Sequence, residues 1–275
     1  MQQSILITGC SSGIGYAAAH GLRKRGWRVF ASCRQADDCT RLQAEGFDSP
    51  LIDYADRASI TQGLQHVLAE TGGTLDALFN NGAYAIPGAV EDLPTDGLRA
   101  IFEANFFGWH DLTRQVLPVM RAQGHGRVVQ CSSVLGFVTM PWRGAYNSTK
   151  FALEGLTDTL RIEMRGTPIK IILIEPGPVT SRIRANSIPH FEKWIDWEAS
   201  PRVALYRDKL IHRLYDDAGP DTFELPPEAV VKKLVHAIES PNPRPRYFVT
   251  TPTYIMATLR RILPTRLLDA VLARA

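Results

Sequence analysis

The chain has 275 residues, of which 45% are hydrophobic and 21% charged. This length suits one large α/β domain and is too short for two full-sized ones, and the composition is that of an ordinary globular protein. A net charge of +3 argues against a nucleic-acid-binding protein. The four cysteines and seven histidines lack the spacing of a metal site, so we expect no metal and buried thiols in a reducing compartment.

Short apolar segments alternate with longer helical patterns along residues 1–250. Such alternation is typical of βαβ units and predicts a Rossmann-type α/β domain, a doubly wound parallel sheet with helices on both faces. Seven strands are predicted, at residues 4–8, 28–32, 49–52, 75–80, 127–132, 170–175 and 247–250. Helices are predicted at residues 14–25, 57–70, 98–123, 144–165 and 227–239.

A glycine-rich turn at residues 8–15 follows the first predicted strand and opens directly into a helix. Gly9 suits a tight turn, Gly13 lets the backbone approach a pyrophosphate, and Gly15 permits close packing of helix on strand. The N-terminus of the helix favours the negative phosphates. The turn therefore predicts a dinucleotide site that includes Gly9, Ser11, Ser12, Gly13, Ile14 and Gly15.

The end of the second strand discriminates between the two nicotinamide cofactors. NAD enzymes place an acid there for the ribose 2′-hydroxyl, whereas this chain has Ser32 and then Arg34, a guanidinium suited to a 2′-phosphate. NADP(H) is therefore the predicted cofactor. After the third strand, Asp53 and Tyr54 lie where a loop reaches an adenine ring, although Asp53 alternatively caps the following turn.

Tyr146 and Lys150 have the spacing of a proton-handling pair. Residues four apart share one face of a helix, so the ammonium group favours the ionised phenol. A carbonyl that accepts a hydride needs such a proton donor as charge develops on its oxygen. Ser133 is predicted at the carboxyl end of a strand, where it orients the substrate oxygen or, alternatively, serves only as a cap.

Together these motifs resemble the short-chain dehydrogenase/reductase family over about residues 4–250, and within it bacterial NADP-dependent aldehyde reductases related to retinol and hydroxysteroid dehydrogenases. The resemblance implies that Tyr146 is the general acid/base and that Ser133 polarises the carbonyl. It implies that Lys150 lowers the pKa of the phenol and holds the nicotinamide ribose. It also implies that Asn105 keeps a water molecule linked to the lysine.

Two segments depart from the family pattern. Asn80-Asn81-Gly82-Ala83 stands where the family usually has Asn-Asn-Ala-Gly, and residues 176–181 follow Pro-Gly-x-x-x-Thr with Ser181 at the last position. The resemblance implies further cofactor contacts from Asn81, Gly82, Ala83, Pro176, Gly177, Val179 and Ser181. A regulatory protein that senses the nucleotide without chemistry is the alternative outside enzymes, and the retained catalytic positions argue against it.

Residues 181–225 form a long, aromatic-rich segment without a predicted strand, which is typical of a lid. Together with Met140 and Trp142, the lid predicts an apolar pocket and the reduction of aldehydes or ketones with an apolar body. One alternative is that the aromatic side chains only pack on one another. Another is an NADP-linked alcohol, hydroxysteroid or retinol-type dehydrogenase that works in the oxidative direction.

Residues 251–275 mix aliphatic side chains with arginines. Such a basic amphipathic segment lies on an anionic membrane, closes over the active-site mouth, or packs on a partner subunit of a homo-oligomer, and these alternatives stay open. Arginines interrupt it too often for a membrane span. Because the first nine residues lack the pattern of a secretory signal, we expect a cytoplasmic protein, with peripheral contact to the inner membrane face among the alternatives.

Overall fold

The computed structural model describes residues 2–216, 219 and 221–273, so that Arg274 of the basic C-terminal segment lies outside them. The strands are β1 (Ser4–Ile7), β2 (Arg28–Ala31), β3 (Ala77–Asn80), β4 (Gly126–Cys131), β5 (Ile169–Glu175) and β6 (Arg246–Phe248). All neighbours in the sheet run parallel, in the order β2-β1-β3-β4-β5-β6. The predicted doubly wound Rossmann-type fold is confirmed.

The predicted third strand, residues 49–52, does not enter the sheet. The chain there makes only two isolated parallel bridges, Asp48 with Phe30 and Leu51 with Cys33. Pro50 lies between them and has no amide hydrogen to donate, so a regular ladder cannot form along this edge. The prediction of seven strands is therefore wrong by one edge segment, and the sheet has six strands among the described residues.

The main helices are α1 (Gly13–Lys24), α2 (Ala36–Ala44), α3 (Arg57–Thr71), α4 (Thr95–Phe102), α5 (Gly108–Gln123), α6 (Gly144–Glu163), α7 (Ile183–Trp194), α8 (Val203–Leu205), α9 (His212–Tyr215), α10 (Glu228–Glu239), α11 (Thr251–Ile262) and α12 (Thr265–Leu272). One long helix was predicted over residues 98–123, but a π-helical turn, Glu103–Phe107, separates α4 from α5. None of the helices within the described residues combines the length and apolarity that crossing a bilayer requires.

Two apolar clusters organise the molecule. The larger one encloses the sheet, and Ile5, Leu6 and Ile7 of β1 are all fully buried because helices cover both faces of the parallel strands. The smaller one holds the lid to the domain and is centred on Phe191 and Tyr206, which are 1% and 0% exposed. The described part of the lid therefore forms short helices that share this cluster with residues of the domain such as Ile86 and Ile101.

Candidate active site

A cleft of about 1310 Å³ opens at the carboxyl ends of the strands, the edge where ligands bind in open α/β sheets. It gathers nearly all residues that the sequence placed in the site. Those that line it are Gly9, Ser11, Ser12, Gly13, Ile14, Arg34, Asp53, Tyr54, Asn81, Gly82, Ala83, Ser133, Tyr146, Lys150, Pro176, Gly177, Val179 and Ser181. Gly15 and Asn105 lie behind this lining.

The glycine turn is built on backbone contacts that leave no space for side chains. Gly9 has φ +68°, and a Cβ there would lie 2.5 Å from the Cα of Gly82. A Cβ on Gly15 would lie 2.3 Å from the carbonyl oxygen of Gly9. The side chain of Asn81 donates to the carbonyl of Thr8 at 3.1 Å. The loops after β1 and β3 are thereby locked together beside the N-terminus of α1.

The inverted Gly82-Ala83 pair has a local explanation. Gly82 packs directly on Gly9, and a Cβ at Gly82 would meet the Gly9 backbone at 3.3 Å. The carbonyl of Gly82 accepts a hydrogen bond of 2.9 Å from the indole nitrogen of Trp109 on α5. The small residue is therefore placed where two loops touch, and the methyl group of Ala83 lies in the cleft lining.

Asp53 and Tyr54 make hydrogen bonds to other residues of the protein. A carboxylate oxygen of Asp53 accepts from the backbone amide of Ala55 at 3.0 Å, the turn cap named above as its alternative role. The phenol of Tyr54 is buried and hydrogen bonds with Thr8 at 2.8 Å and Asn80 at 2.5 Å. Both residues line the cleft, but these polar groups also hold the loop after residue 52 to β1 and β3.

Lys150 occupies the floor of the cleft. Its ammonium donates to the carbonyl of Cys131 at 2.9 Å and lies 4.2 Å above the ring centre of Trp109 and 5.4 Å from that of Tyr146. Burial lowers the pKa of Lys150 to about 8, although Cys131 and Glu154 act in the opposite direction. The ammonium group is thus held by a strand end and an aromatic face, ready to donate further hydrogen bonds.

Tyr146 and Ser133 meet on the same floor. Burial raises the pKa of the Tyr146 phenol above its ordinary value, and Cys131 adds to that effect, whereas a hydrogen bond with Ser133 lowers it. The lowering of this pKa by Lys150, expected from their spacing, stays a prediction. The hydroxyl of Ser133 also accepts from the amide of Leu135 at 3.1 Å, so it caps a turn as well as contacting the phenol. Burial therefore favours the protonated form of the phenol.

Asn105 lies in the π-helical turn and is fully buried. Its side chain accepts from the amide of Tyr84 at 3.1 Å, donates to the carbonyl of Tyr84 at 2.8 Å, and reaches Thr149 on α6 at 3.5 Å. These bonds join the loop after β3 to the helix that carries Tyr146. Single π-helical turns are frequent at functional sites. A water link from Asn105 to Lys150 stays a prediction.

The substrate side of the cleft differs from the expectation. Met140 and Trp142 line it, but no aromatic side chain of the lid does so among the described residues. Phe191 and Tyr206 instead pack with one another inside the lid cluster, their ring centres 6.3 Å apart. The lid contributes mainly aliphatic and basic side chains, among them Ile183, Arg184, Ile188, Leu210, Arg213 and Leu214.

One further contribution was missed by sequence reasoning. Trp109, which contacts both Lys150 and Gly82, is the second residue of α5, and no local pattern distinguishes it from a core residue. Closure over the active-site mouth was one of the alternatives for the C-terminal segment, and Met256 and Leu272 line the cleft. Leu272 belongs to a small cluster with Val138, which holds α12 at this position.

Comparison with known proteins agrees with this geometry. The model of the short chain dehydrogenase family matches residues 3–191. The oxidoreductase YbbO of Escherichia coli K12 is 40% identical over 99% of this chain and 94% of its own length. The NADPH-dependent 3-dehydrocapnine reductase of Ornithobacterium rhinotracheale is 28% identical over 97% of this chain and 94% of its own. The crystal structure of a short-chain dehydrogenase/reductase from Burkholderia phymatum in complex with NAD is 26% identical, with a TM-score of 0.78 over 98% of this chain and 95% of that one.

The chain belongs to the short-chain dehydrogenase/reductase family. It is therefore an oxidoreductase, and the bound NAD of the Burkholderia phymatum structure supports a nicotinamide cofactor.

Proposed function

We propose that the protein is an NADP(H)-dependent reductase that converts aldehydes or ketones with an apolar body to alcohols. The observation that carries this proposal is the meeting of the Tyr146 phenol, the Ser133 hydroxyl and the Lys150 ammonium on the floor of one cleft. The printed name of the Ornithobacterium rhinotracheale relative, an NADPH-dependent reductase, supports the same class of reaction.

The other half of the cleft fits a dinucleotide. Gly9 and Gly13 line the cleft beside the N-terminus of α1, and a Cβ at either position would crowd Gly82 or Ser181, at 2.5 and 3.2 Å. Backbone amides at a helix N-terminus bind phosphate groups. When bound, the nicotinamide supplies the hydride.

The catalytic residues then act on the substrate oxygen. Ser133 orients that oxygen by a hydrogen bond, and Tyr146 donates its phenolic proton to it as negative charge develops. Lys150, fixed by its bond to the Cys131 carbonyl, holds the ribose hydroxyls with its remaining hydrogens. Each step uses a group that lines the cleft.

Arg34 supports the choice of NADP(H) over NAD(H). Ser32, at the position where NAD enzymes carry an acid, is fully buried and carries no negative charge. Arg34 is exposed in the lining, and its charge reaches the stacked rings of Tyr84 and His190, whose centres are 3.7 Å apart. Burial, then Arg34 and then Lys193 lower the pKa of His190 to about 4, so the charge of Arg34 acts on this edge of the cleft.

The reductive direction is supported by the printed name of the Ornithobacterium rhinotracheale relative, an NADPH-dependent reductase. Reduction uses a protonated Tyr146 and oxidation uses the same group as a base, so the residues themselves serve both directions.

Replacement of Tyr146 tests the proposal. Tyr146→Phe removes the proton donor, and we expect NADPH-dependent turnover of medium-chain aldehydes to fall by at least about a hundredfold. NADPH should still bind, measured by its fluorescence. Tyr215→Phe, a lid tyrosine bonded only to the exposed Glu192, is the matched control and should keep wild-type rates. Undiminished turnover of Tyr146→Phe would overturn the mechanism. If activity did not rise with the alkyl chain length of the aldehyde, the proposal of a substrate with an apolar body would be overturned.

We also propose that the protein acts in the cytoplasm with its C-terminal segment on the anionic membrane face. The helices α11 and α12 bury Ala257 and Leu268 against the domain and expose a second apolar face, on which Ile262 is 66% and Leu267 is 57% exposed. The exposed arginines beside that face are Arg260, Arg261 and Arg266. An apolar face bordered by cations is complementary to an anionic bilayer surface.

Vesicle flotation tests this contact in the full chain. We expect the protein to float with vesicles that contain anionic lipid and not with neutral ones, because both charge and apolar area contribute. The variant Leu267→Glu should lose flotation, whereas Val90→Glu, at an exposed apolar site on a different element, should not. Absence of flotation would overturn the proposal, as would a stable dimer in light scattering that Leu267→Glu dissociates.

A further inference from the structure

We infer that the substrate half of the cleft contains a cationic subsite, formed by Arg143, Arg184 and Arg213, that receives an anionic group of the substrate. The group would be a carboxylate, sulfonate or phosphate on a carbonyl compound with an apolar body. This inference rests on the proposed function and deepens it, because it names the substrate class. It also adds an anionic group to the apolar substrate expected from the sequence.

The three arginines come from separate segments and converge on one wall. Arg143 immediately precedes α6, Arg184 lies on α7 and Arg213 on α9, and all three line the cleft. A carboxylate, Asp221, lies among them. Arg213 donates to both oxygens of Asp221 at 3.1 Å, and Arg184 approaches it at 3.6 Å. One acid therefore faces three guanidinium groups.

Arg143 is the member whose charge is not matched. Within the part of the chain that the structure describes, its side chain has no hydrogen-bond acceptor and no ion pair, whereas its two neighbours share Asp221. Desolvation lowers the pKa of Arg143 to about 10; Arg213 and Arg184 act in the same direction and Asp221 in the opposite one. The group stays charged at neutral pH. An enclosed cation without an acceptor is unfavourable, and a bound anion would remove that cost.

The remaining charged groups of this wall do not neutralise the arginines. Two acids of the lid also line the cleft, and both have other partners. Asp216 pairs with His212 at 2.6 Å. Glu224 accepts from Thr180 at 2.6 Å and from the amide of Asp221 at 2.8 Å. Two more cations, Arg182 and Lys209, line the same region. The described residues therefore leave an excess of positive charge.

The subsite is fixed relative to the catalytic floor. Arg143 lies three residues before Tyr146, and the amide of Gly88 donates to the carbonyl of Trp142 at 3.0 Å, which holds this loop to the segment after β3. Trp142 adopts φ +64°, a conformation that a bulky residue rarely takes without a functional reason. Met140 and Trp142 provide the adjoining apolar lining. The apolar lining would receive the body of a substrate, and the arginines next to it would receive an anionic end.

Paired substrates of equal length test the subsite. We would compare dodecanal with 12-oxododecanoate and with the 12-phosphate ester of dodecanal, all with NADPH, in the wild type and in Arg143→Gln. We expect the ratio of kcat/KM for the anionic to the neutral aldehyde to fall at least about tenfold in Arg143→Gln, because charged hydrogen bonds contribute that much. Arg143→Lys should recover part of the ratio. Arg202→Gln, a lid arginine paired with Glu91 outside the cleft lining, should keep the wild-type ratio.

Binding without turnover separates this inference from the proposed function. Decanoate, decyl sulfonate and decyl phosphate should raise the Tm of the wild-type protein and raise it less in Arg143→Gln, whether or not any aldehyde is reduced. The relative shifts for the three anions identify the preferred group. Equal shifts in both proteins would overturn the inference. The inference would also be overturned if, in Arg143→Gln, the KM for NADPH rose by the same factor as the ratio of kcat/KM for the anionic to the neutral aldehyde fell. The arginines would then belong to the cofactor site.

Discussion

The two halves of the cleft are built by different means. The cofactor half is made of backbone: Gly9 touches Gly82, and the turn leads directly into α1. The substrate half is made of side chains from distant segments, such as Arg143 before α6 and Arg213 on α9. Backbone geometry is encoded by a few neighbouring glycines, whereas a wall of side chains depends on how far-separated elements pack. We therefore expect substitutions to harm the first half more than the second.

The largest expected effect comes from filling the backbone half. In Gly9→Ala the new Cβ would lie 2.5 Å from the Cα of Gly82 and 2.9 Å from its nitrogen, neither of which is a flexible side chain. The loops must separate, and we expect NADPH affinity to fall at least about a hundredfold, near 2.7 kcal/mol. Fluorescence titration with NADPH measures this.

Gly26→Ala is the matched control for that variant. Gly26 also has a positive φ, +88°, but a Cβ there would meet nothing within 4 Å. It should therefore lose only about 1 kcal/mol of stability from backbone strain and keep its NADPH affinity. If both variants lost similar NADPH affinity, backbone strain would be the cause of the loss in Gly9→Ala, and not the contact between Gly9 and Gly82.

The next largest effect is expected at Arg34, which lies in the cofactor half of the cleft. Arg34→Ala removes the guanidinium assigned to the 2′-phosphate, and we expect the ratio of kcat/KM for NADPH over NADH to fall roughly tenfold to a hundredfold, as for a charged hydrogen bond. Arg28→Ala, at the opposite end of β2 and paired with Glu70 at 2.8 Å, should leave the ratio unchanged. A preference for NADH in the wild type would refute the assignment of NADP(H).

The comparison also explains what the sequence could predict. The strands β1 and β4 and the glycine turn were located within one or two residues, because local apolar runs and glycines encode them. The failures have nonlocal or geometric causes. Pro50 breaks an edge ladder, and the π-helical turn at Glu103–Phe107 leaves the apolar periodicity of residues 98–123 nearly intact.

The candidate site divides in the same way. The spacing of Tyr146 and Lys150 placed both on one helix face, and the structure puts them on the floor of the cleft. The spacing did not reveal that burial would govern both pKa values, since burial depends on the entire fold. The arginines at positions 143 and 213 are 70 positions apart in the sequence, so no local pattern connects them.

Lys150 gives an intermediate effect that depends on pH. Because burial lowers its pKa to about 8, the ammonium loses its proton as the pH rises through that value. We expect kcat/KM for NADPH, which reports groups of the free enzyme, to decline above pH 8 by up to about tenfold per unit. Rates between pH 6 and 10 would show the break. In Lys150→Arg the break should disappear, because a guanidinium stays charged over this range. A wild-type profile flat to pH 10 would contradict the role of the ammonium.

The smallest effect is expected in the lid cluster, which lies behind the wall of side chains. Tyr206 is fully buried; its hydroxyl accepts from the amide of Ala89 at 2.8 Å and donates to Asp92 at 2.8 Å. Tyr206→Phe leaves that amide without its acceptor, which should cost about 1–3 kcal/mol and lower Tm by a few degrees. The lid opens more often, so the KM for the carbonyl substrate should rise several-fold while NADPH affinity stays unchanged. Tyr215→Phe, exposed on the same lid, should change neither KM nor Tm. If Tyr206→Phe weakened NADPH binding as strongly as carbonyl binding, the two halves of the cleft would be one coupled unit, and the comparison drawn above would fail.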